Sequence, residues 1–238
     1  MKIGVSNISW TDLDKARNTK AVKQSGYDYI ESTYGKISTD YPILAIQSIF
    51  YGSGIEAFLD DDCLLYMEQV INDCRNLGIE TITFGSPTMR VGNKSNMLMF
   101  LKDVDFLLED TGVKLCVEPN ASYYGATYYN TLESIVDDLS SYKNISSMID
   151  VGNSLLEEQD CSAEYEKYNK FISHVHFSNP GLNEITDFGL YREFYKELQN
   201  SGYGGKLSYE FAKADDTETA IRNFYHEVIK FDNTEKDT

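Results

Sequence analysis

Short apolar runs recur along the whole chain at the interval of one strand-plus-helix unit, which leaves few folds open. The runs span 2–5, 27–30, 44–49, 81–84, 114–117, 146–149, 174–177 and 206–209. They are largely apolar rather than strictly alternating, the pattern of strands buried on both faces of a parallel sheet. Between them the apolar residues switch to the helical period. Cys63, Leu64, Met67, Val70, Ile71, Cys74 and Leu77 fall on one face. Met97, Leu98, Leu101, Val104 and Leu108 form a second face, and Ile221, Phe224, Tyr225 and Val228 a third. Gly26, Gly78, Gly112 and Gly202 stand where a helix must stop before the next run. The connection between the second and third runs, and the segment 163–168, are weaker as helices. Eight strands alternating with about as many helices in 238 residues predict a single-domain α/β protein, a (β/α)8 TIM barrel. A doubly wound sheet is the alternative. Against it, Ser6-Asn-Ile-Ser-Trp10 follows the first run in place of a Gly-rich phosphate loop.

Four consecutive runs end on an acidic or imidazole side chain. They are Glu118 in Cys116-Val-Glu-Pro-Asn120, Asp150 in Ile149-Asp-Val-Gly-Asn153, His176 in His174-Val-His-Phe177, and Glu210 in Leu207-Ser-Tyr-Glu-Phe211. The intervals between positions 118, 150, 176 and 210 are 32, 26 and 34 residues, near the ~31 of one unit in a barrel of ~250. The C-terminal strand ends of such a barrel converge on one rim. Three carboxylates and one imidazole would meet there, a ligand set suited to one divalent metal ion. Its oxygen-rich character favours Mn²⁺, with Mg²⁺, Co²⁺ and Zn²⁺ tolerated. Any one of these residues alone reads as a solvated strand end; four in succession read as a site. Glu118 and Glu210, from the fifth and eighth strands, would approach a ligand from opposite sides. That arrangement suits removal of a proton from one face of a carbon and its return to the other, through an enediolate.

Composition narrows the partners. The chain has 38 acidic and 21 basic residues, a formal net charge of −17, so a nucleic-acid surface of clustered Lys and Arg is not expected. No apolar run approaches the ~20 residues that span a bilayer. The first strand begins at Met1-Lys-Ile-Gly-Val, leaving no room for a cleavable leader. Cys63, Cys74, Cys116 and Cys161 lack metal-site spacing and read as buried free thiols suited to a reducing cytoplasm. The expected domain spans 1–232, followed by a polar, disordered tail at 233–238. A homo-oligomer is left open.

The segments around Glu118, Asp150, His176 and Glu210, with Tyr203-Gly-Gly205 before the last strand, resemble the xylose isomerase-like TIM-barrel superfamily. Within it, the chain is similar to the sugar phosphate isomerase/epimerase group that includes ketose 3-epimerases. Ile46-Gln-Ser-Ile-Phe-Tyr-Gly52 and Phe84-Gly-Ser-Pro-Thr-Met-Arg90 also resemble a subgroup of it. The resemblance covers nearly the whole chain. It implies a metal-dependent isomerase or epimerase for a sugar or sugar phosphate, with Glu118 and Glu210 as the proton-transfer pair. There are departures. Asn153 stands where similar ketose 3-epimerases carry a histidine. No basic residue follows His176 before Arg192, and Tyr123-Tyr124 replace a second sugar-contacting glutamate. An apurinic-site endonuclease of the same superfamily needs histidines on many strands to hold three zinc ions. This chain has three histidines, none before residue 174. A non-catalytic sugar- or metal-binding barrel is the remaining alternative.

Trp10, Gln47, Ser86, Arg90, Asn120 and Asn153 complete the expected substrate-binding set. Trp10 offers a stacking wall or a cover for the core edge. Arg90 offers a bidentate clamp for a phosphate or carboxylate, or else a rim ion pair with Glu31 or Asp105. Glu31 is expected on the same rim. His174 reads as a hydrogen-bonded core residue one layer below His176, and His226 as surface.

Overall fold

The computed structural model describes residues 1–37, 39–58 and 61–231 (the side chain of 61 excepted). The expected tail therefore lies outside the described residues. The strands are β1 Lys2–Ser6, β2 Tyr29–Thr33, β3 Ile43–Gln47, β4 Thr81–Phe84, β5 Lys114–Val117, β6 Ile145–Asp150, β7 Ile172–Phe177 and β8 Lys206–Tyr209. All neighbouring pairs are parallel, in chain order, and β8 closes onto β1. The helices are α1 Lys15–Ser25, α2 Asp61–Leu77, α3 Lys94–Leu107, α4 Leu132–Leu139, α5 Val151–Leu156, α6 Cys161–Tyr168, α7 Gly189–Asn200 and α8 Thr217–Phe224. This is a (β/α)8 barrel with two irregular steps. Among the described residues no helix joins β2 to β3, and two helices lie between β6 and β7. The weak segment 163–168 is helical because the Asp160 side chain caps it, accepting from the Ser162 and Ala163 amides.

The helical faces pack as the sequence predicts: Cys63, Met67, Val70, Ile71 and Cys74 of α2 are buried together with Met97, Leu101 and Val104 of α3. The four cysteines are free and buried. No described helix is long and apolar enough to cross a membrane.

Two strands depart from expectation, each for its own physical reason. The expected run 27–30 is displaced to Tyr29–Thr33. Gly26 ends α1 in the left-handed conformation at φ 104°, and the Asp28 carboxylate accepts the Ile3 amide at 2.8 Å, so 27–28 form the connector. The strand then continues through Glu31, Ser32 and Thr33, all buried. Their polarity disguised them as a loop, although the barrel supplies their partners. The third strand stops at Gln47 rather than at residue 49, because Ser48 turns to φ 55°.

A polar column runs inside the barrel. Tyr29 reaches across Gly4 so that its hydroxyl meets Ser208 Oγ at 2.8 Å. A Cβ at residue 4 would lie 2.4 Å from the Tyr29 ring, so only glycine fits there. Ser208 is 3.4 Å from His174 Nε2, which is 2.9 Å from Glu31 Oε2; His176 Nε2 meets the same oxygen at 3.0 Å. The column thus ends at the C-terminal mouth.

Candidate active site

Each candidate ligand is placed by strand pairing. Asp150 is the last residue of β6 and pairs in register with His176 on β7. Glu118 lies one residue beyond β5, its amide donating to the Phe84 carbonyl at 3.0 Å. Glu210 lies one residue beyond β8, its amide donating to Phe177 in the same way. The ligand atoms of Glu118, Asp150, His176 and Glu210 all lie within 4.8 Å of one another. His176 Nδ1 is 3.3 Å from Glu118 Oε1, 3.2 Å from Glu210 Oε2 and 3.7 Å from Asp150 Oδ2.

The remaining atoms of these residues are already committed, which aims the free ones. Asp150 Oδ1 caps α5, accepting from the Asn153 amide at 2.6 Å, and accepts the Ser178 hydroxyl at 2.7 Å. Only Oδ2 is left for the cluster. Glu118 Oε2 accepts from Asn120 Nδ2 at 3.2 Å. A Cβ on residue 85 would fall 2.2 Å from that oxygen, so Gly85 makes room for the carboxylate. His176 donates through Nε2 to Glu31, because an ionised carboxylate can only accept. Glu31 is fixed in turn by Thr83, whose hydroxyl donates to Oε1 at 2.8 Å.

Electrostatics follow from this crowding. Burial raises the Glu210 pKa to about 7, an effect opposed by the His176 charge and reinforced by Glu118 and Asp150. Burial alone would lower the His176 pKa, yet the charges of Glu31 and Glu210 hold it well above the ordinary histidine value. Burial likewise opposes ionisation of Glu31, but the two imidazoles hold its pKa well below the carboxylate range. His174 stays on the neutral side, lowered mainly by desolvation.

The residues fit a divalent cation. Buried Nδ1 of His176 is surrounded by carboxylate oxygens but makes no hydrogen bond. Three converging carboxylates with no Lys or Arg among them leave a negative charge that a dication offsets. Glu118, Asp150, His176 and Glu210 would hold it.

A cavity of about 160 Å³ opens above the cluster, smaller than the ~300–1,000 Å³ of sites for drug-sized ligands. Of the residues expected to bind substrate, Gln47, Ser86, Asn120 and Asn153 line it, together with the three carboxylates. Tyr124 and Leu182 also line it, and the sequence reading did not place them there. Ser48, Ser86 and Leu182 carry positive φ at this wall, at 55°, 57° and 55°. Such backbone costs on the order of 1–3 kcal/mol per residue and concentrates at ligand sites.

Two expected contributors are placed elsewhere. Trp10 is buried beside Asn7 and Lys36 and does not line this cavity. Arg90 does not reach the rim. It is fully buried, donating to the Glu118 carbonyl at 2.5 Å and the Phe84 carbonyl at 2.6 Å, and forms no ion pair with Glu31 or Asp105. Burial lowers its pKa to about 10, partly offset by the Glu118 charge. The guanidinium pairs the Glu118 carbonyl beyond β5 and adds a second donor to the Phe84 carbonyl at the end of β4, which also accepts the Glu118 amide. Glu31 also lies below the cavity rather than on its rim. His174 is a hydrogen-bonded core residue and His226 is exposed. Ser178 and Gly85 were not singled out from sequence, though each sits within two residues of a strand end that carries or faces a ligand.

The closed parallel barrel carries a cluster of acidic and imidazole groups at its C-terminal mouth that could hold a metal ion. The chain belongs to the xylose isomerase-like TIM-barrel family, whose model matches residues 19–226. No curated protein sequence matches it closely enough to count as a relative. Solved structures share the fold. The apo 3-keto-D-glucoside 4-epimerase YcjR from E. coli is 17% identical over 97% of this chain and 100% of that one, with a TM-score of 0.76. D-psicose 3-epimerase from Clostridium cellulolyticum H10, solved with D-tagatose, is 14% identical over 97% and 92%, with a TM-score of 0.72. The IOLI protein with a bound zinc atom is 15% identical over 97% of both chains, with a TM-score of 0.69.

Proposed function

We propose that this chain is a metal-dependent isomerase or epimerase that moves a proton on a small carbohydrate between Glu118 and Glu210. One observation carries the reading. The two glutamates come from strands three apart in the closed barrel, yet both carboxylates flank His176 Nδ1, at 3.3 and 3.2 Å, and line the same small cavity. A group that only bound sugar would not need two opposed carboxylates in a desolvated pocket. The epimerase activities named for YcjR and D-psicose 3-epimerase support the same reaction class.

One glutamate, as carboxylate, takes the proton from the carbon next to the substrate carbonyl. The other, as the acid, returns a proton to the opposite face, or to the neighbouring carbon for an isomerisation. A divalent ion, Mn²⁺ by ligand hardness, would supply positive charge to the vicinal substrate oxygens. Asp150 is held by its own helix cap and by Ser178, so it acts as a fixed ligand rather than a proton carrier.

The test is solvent deuterium exchange into a panel of ketoses and keto-sugars by Mn²⁺-loaded protein. Glu118→Gln and Glu210→Gln should each slow exchange by at least ~10²-fold, with metal still bound. Unchanged exchange in both variants would refute the proton-transfer roles. The second reading is a binding barrel without turnover, favoured by Asn153 in place of the histidine of similar ketose 3-epimerases. Sugar binding with no exchange in any panel member would support it.

A further inference from the structure

A second cavity, of about 300 Å³, lies in the helical shell and shares no residue with the one at the mouth. Its volume reaches the lower end of the ~300–1,000 Å³ of small-molecule sites. Its walls are α7 and a π-helical turn, Tyr225–Ile229, that continues α8. The Lys230 amide closes this turn by donating to the Tyr225 carbonyl at 3.0 Å. Wide turns of this kind are rare and recur at functional sites.

The charge of this cavity is the reverse of the molecule's. In a chain of net charge −17, its described lining holds Arg192, Lys196 and Lys230 and no Asp or Glu. Glu227, in the adjoining turn, has both oxygens engaged, Oε2 by Arg192 and Oε1 by His226. Arg192 spends Nε and Nη2 on Glu227 and stacks its guanidinium 3.9 Å from the centre of the Phe231 ring. Its Nη1 group has no acceptor among the described residues. Lys196 is half-buried and Lys230 exposed, and neither forms an ion pair among the described residues. Each ammonium meets a ring instead, Phe231 at 5.9 Å for Lys196 and Tyr225 at 5.3 Å for Lys230. Tyr195 also lines the cavity and is only 7% exposed. Its hydroxyl has no hydrogen-bond partner among the described residues, yet it is not sealed from solvent. Burial raises its pKa, so it keeps a proton to donate.

We propose that this cavity is a second ligand site, for the phosphate group of a small phosphate monoester held by Arg192 Nη1, Lys196, Lys230 and the Tyr195 hydroxyl. Glu227 balances Arg192, so the two lysines leave two positive charges, matching the −1.5 to −2 of a phosphate monoester near neutrality. Three phosphate oxygens can share the four donors, and both ammonium groups ride on flexible stems that can close on them. A carboxylate would leave one ammonium unbalanced and offers two oxygens. The site lies apart from the mouth and does not depend on the reaction proposed there.

The experiment is calorimetric titration of the full-length protein at about 0.15 M salt, where exposed charges are screened beyond ~8 Å, with and without Mn²⁺. The probes are inorganic phosphate, D-fructose 6-phosphate and AMP, with D-fructose and adenosine as uncharged counterparts and malonate as a carboxylate control. At least one phosphate ester should bind once per chain, at least tenfold more tightly than its uncharged counterpart, and equally with and without Mn²⁺. Lys196→Gln and Lys230→Gln should each weaken it at least tenfold, as loss of a charge-assisted hydrogen bond implies. Tyr195→Phe should weaken it about three- to tenfold. The two lysine variants should keep the wild-type melting temperature, since neither lysine forms an ion pair in the protein. Binding of no phosphate probe, or binding that all three substitutions leave unchanged, would overturn the proposal. Malonate binding as tightly as the phosphate esters would reduce the site to a general anion patch and overturn the phosphate assignment. The residues after Phe231 include Asp232, Glu235 and Asp237. Phosphate binding seen only in a full-length variant carrying Asp232→Asn, Glu235→Gln and Asp237→Asn would show that the chain's own acids fill the cavity, and the proposal would fall.

Discussion

Glu31 accepts the Nε2 hydrogen of His176 at 3.0 Å, which leaves Nδ1 as the nitrogen turned towards three carboxylates. The tautomer of a ligating histidine is set by whatever holds its other nitrogen. Here that partner is buried, ionised, and tied also to His174 and Thr83. The polar column inside the barrel therefore works as an orienting device for the site at its mouth.

Replacing Glu31 tests this. Glu31→Gln presents an amide that accepts at one end and donates at the other, so it cannot receive both imidazole hydrogens and the Thr83 hydroxyl. Metal affinity should fall by ~10–100-fold, the usual effect of removing such an outer partner. Mn²⁺ titration gives the affinity, and ¹⁵N chemical shifts of His176 in the diamagnetic Zn²⁺-loaded protein give the tautomer. Wild-type affinity with an altered tautomer would show that the hydrogen bond does not matter for the metal.

Gly85 and Glu118 are coupled by space rather than by charge. A methyl group at 85 would sit 2.2 Å from Glu118 Oε2, so Gly85→Ala must displace the carboxylate. Overpacking of this kind costs ~1–3 kcal/mol. The larger effect should fall on metal binding and turnover, because the displaced group is a candidate ligand. Adding Glu118→Asp should not restore turnover, since the shorter acid cannot reach, but should recover most of the lost melting temperature. Recovery of neither would mean that the clash is relieved through the backbone instead.

Proton linkage gives a prediction with a definite sign. Glu210 is raised to about 7 and His176 is also raised, so the native metal-free protein binds more protons than the unfolded chain around neutrality. Stability from both groups is present at lower pH and is lost as pH rises through their folded pKa values. Metal replaces those protons, so its affinity rises with pH. The melting temperature of metal-free protein should therefore fall from about pH 6 to about pH 8, and saturating Mn²⁺ should raise it more at the higher pH. A metal-induced shift that is equal at both values would contradict the proton-metal exchange.

The cluster of Glu118, Asp150, His176 and Glu210 was legible because its four members end apolar strands, so each stood out as a polar residue where the pattern demanded burial. The barrel was legible for the same reason, since strand and helix periods alternate along most of the chain, the step from β2 to β3 excepted. What polarity disguised was the interior. Glu31, Ser32 and Thr33 look like a loop in sequence, yet β2 carries them into the barrel. Their partners, His174, Thr83 and Asn7, lie on other strands or their ends, so no local pattern announces them. Arg90 misled for the complementary reason. A charged residue after a strand invites a solvent-side role, and only the three-dimensional arrangement shows the Glu118 and Phe84 carbonyls that accept it on the inside.

Arg90 accordingly supplies the last prediction. Its NH1 and NH2 groups tie the Glu118 and Phe84 carbonyls together, and its guanidinium packs 5.5 Å from the centre of the Phe84 ring. Glu118 is thereby held through its backbone, and Arg90 acts as a positioning residue with no contact to the cavity. Arg90→Lys keeps a charge but cannot span both carbonyls with a planar fork. If the Glu118 carbonyl is the one left unpaired, the cost is ~1–3 kcal/mol, since the Phe84 carbonyl keeps the Glu118 amide, and the midpoint of chemical denaturation should drop correspondingly. Arg90→Met, which removes both donors, should drop it further. Because the effect passes through Glu118, metal affinity should weaken in step with stability, and free and phosphorylated sugars should be affected alike. A loss confined to phosphorylated ligands, with stability intact, would instead mean that Arg90 turns outward in solution and meets the substrate.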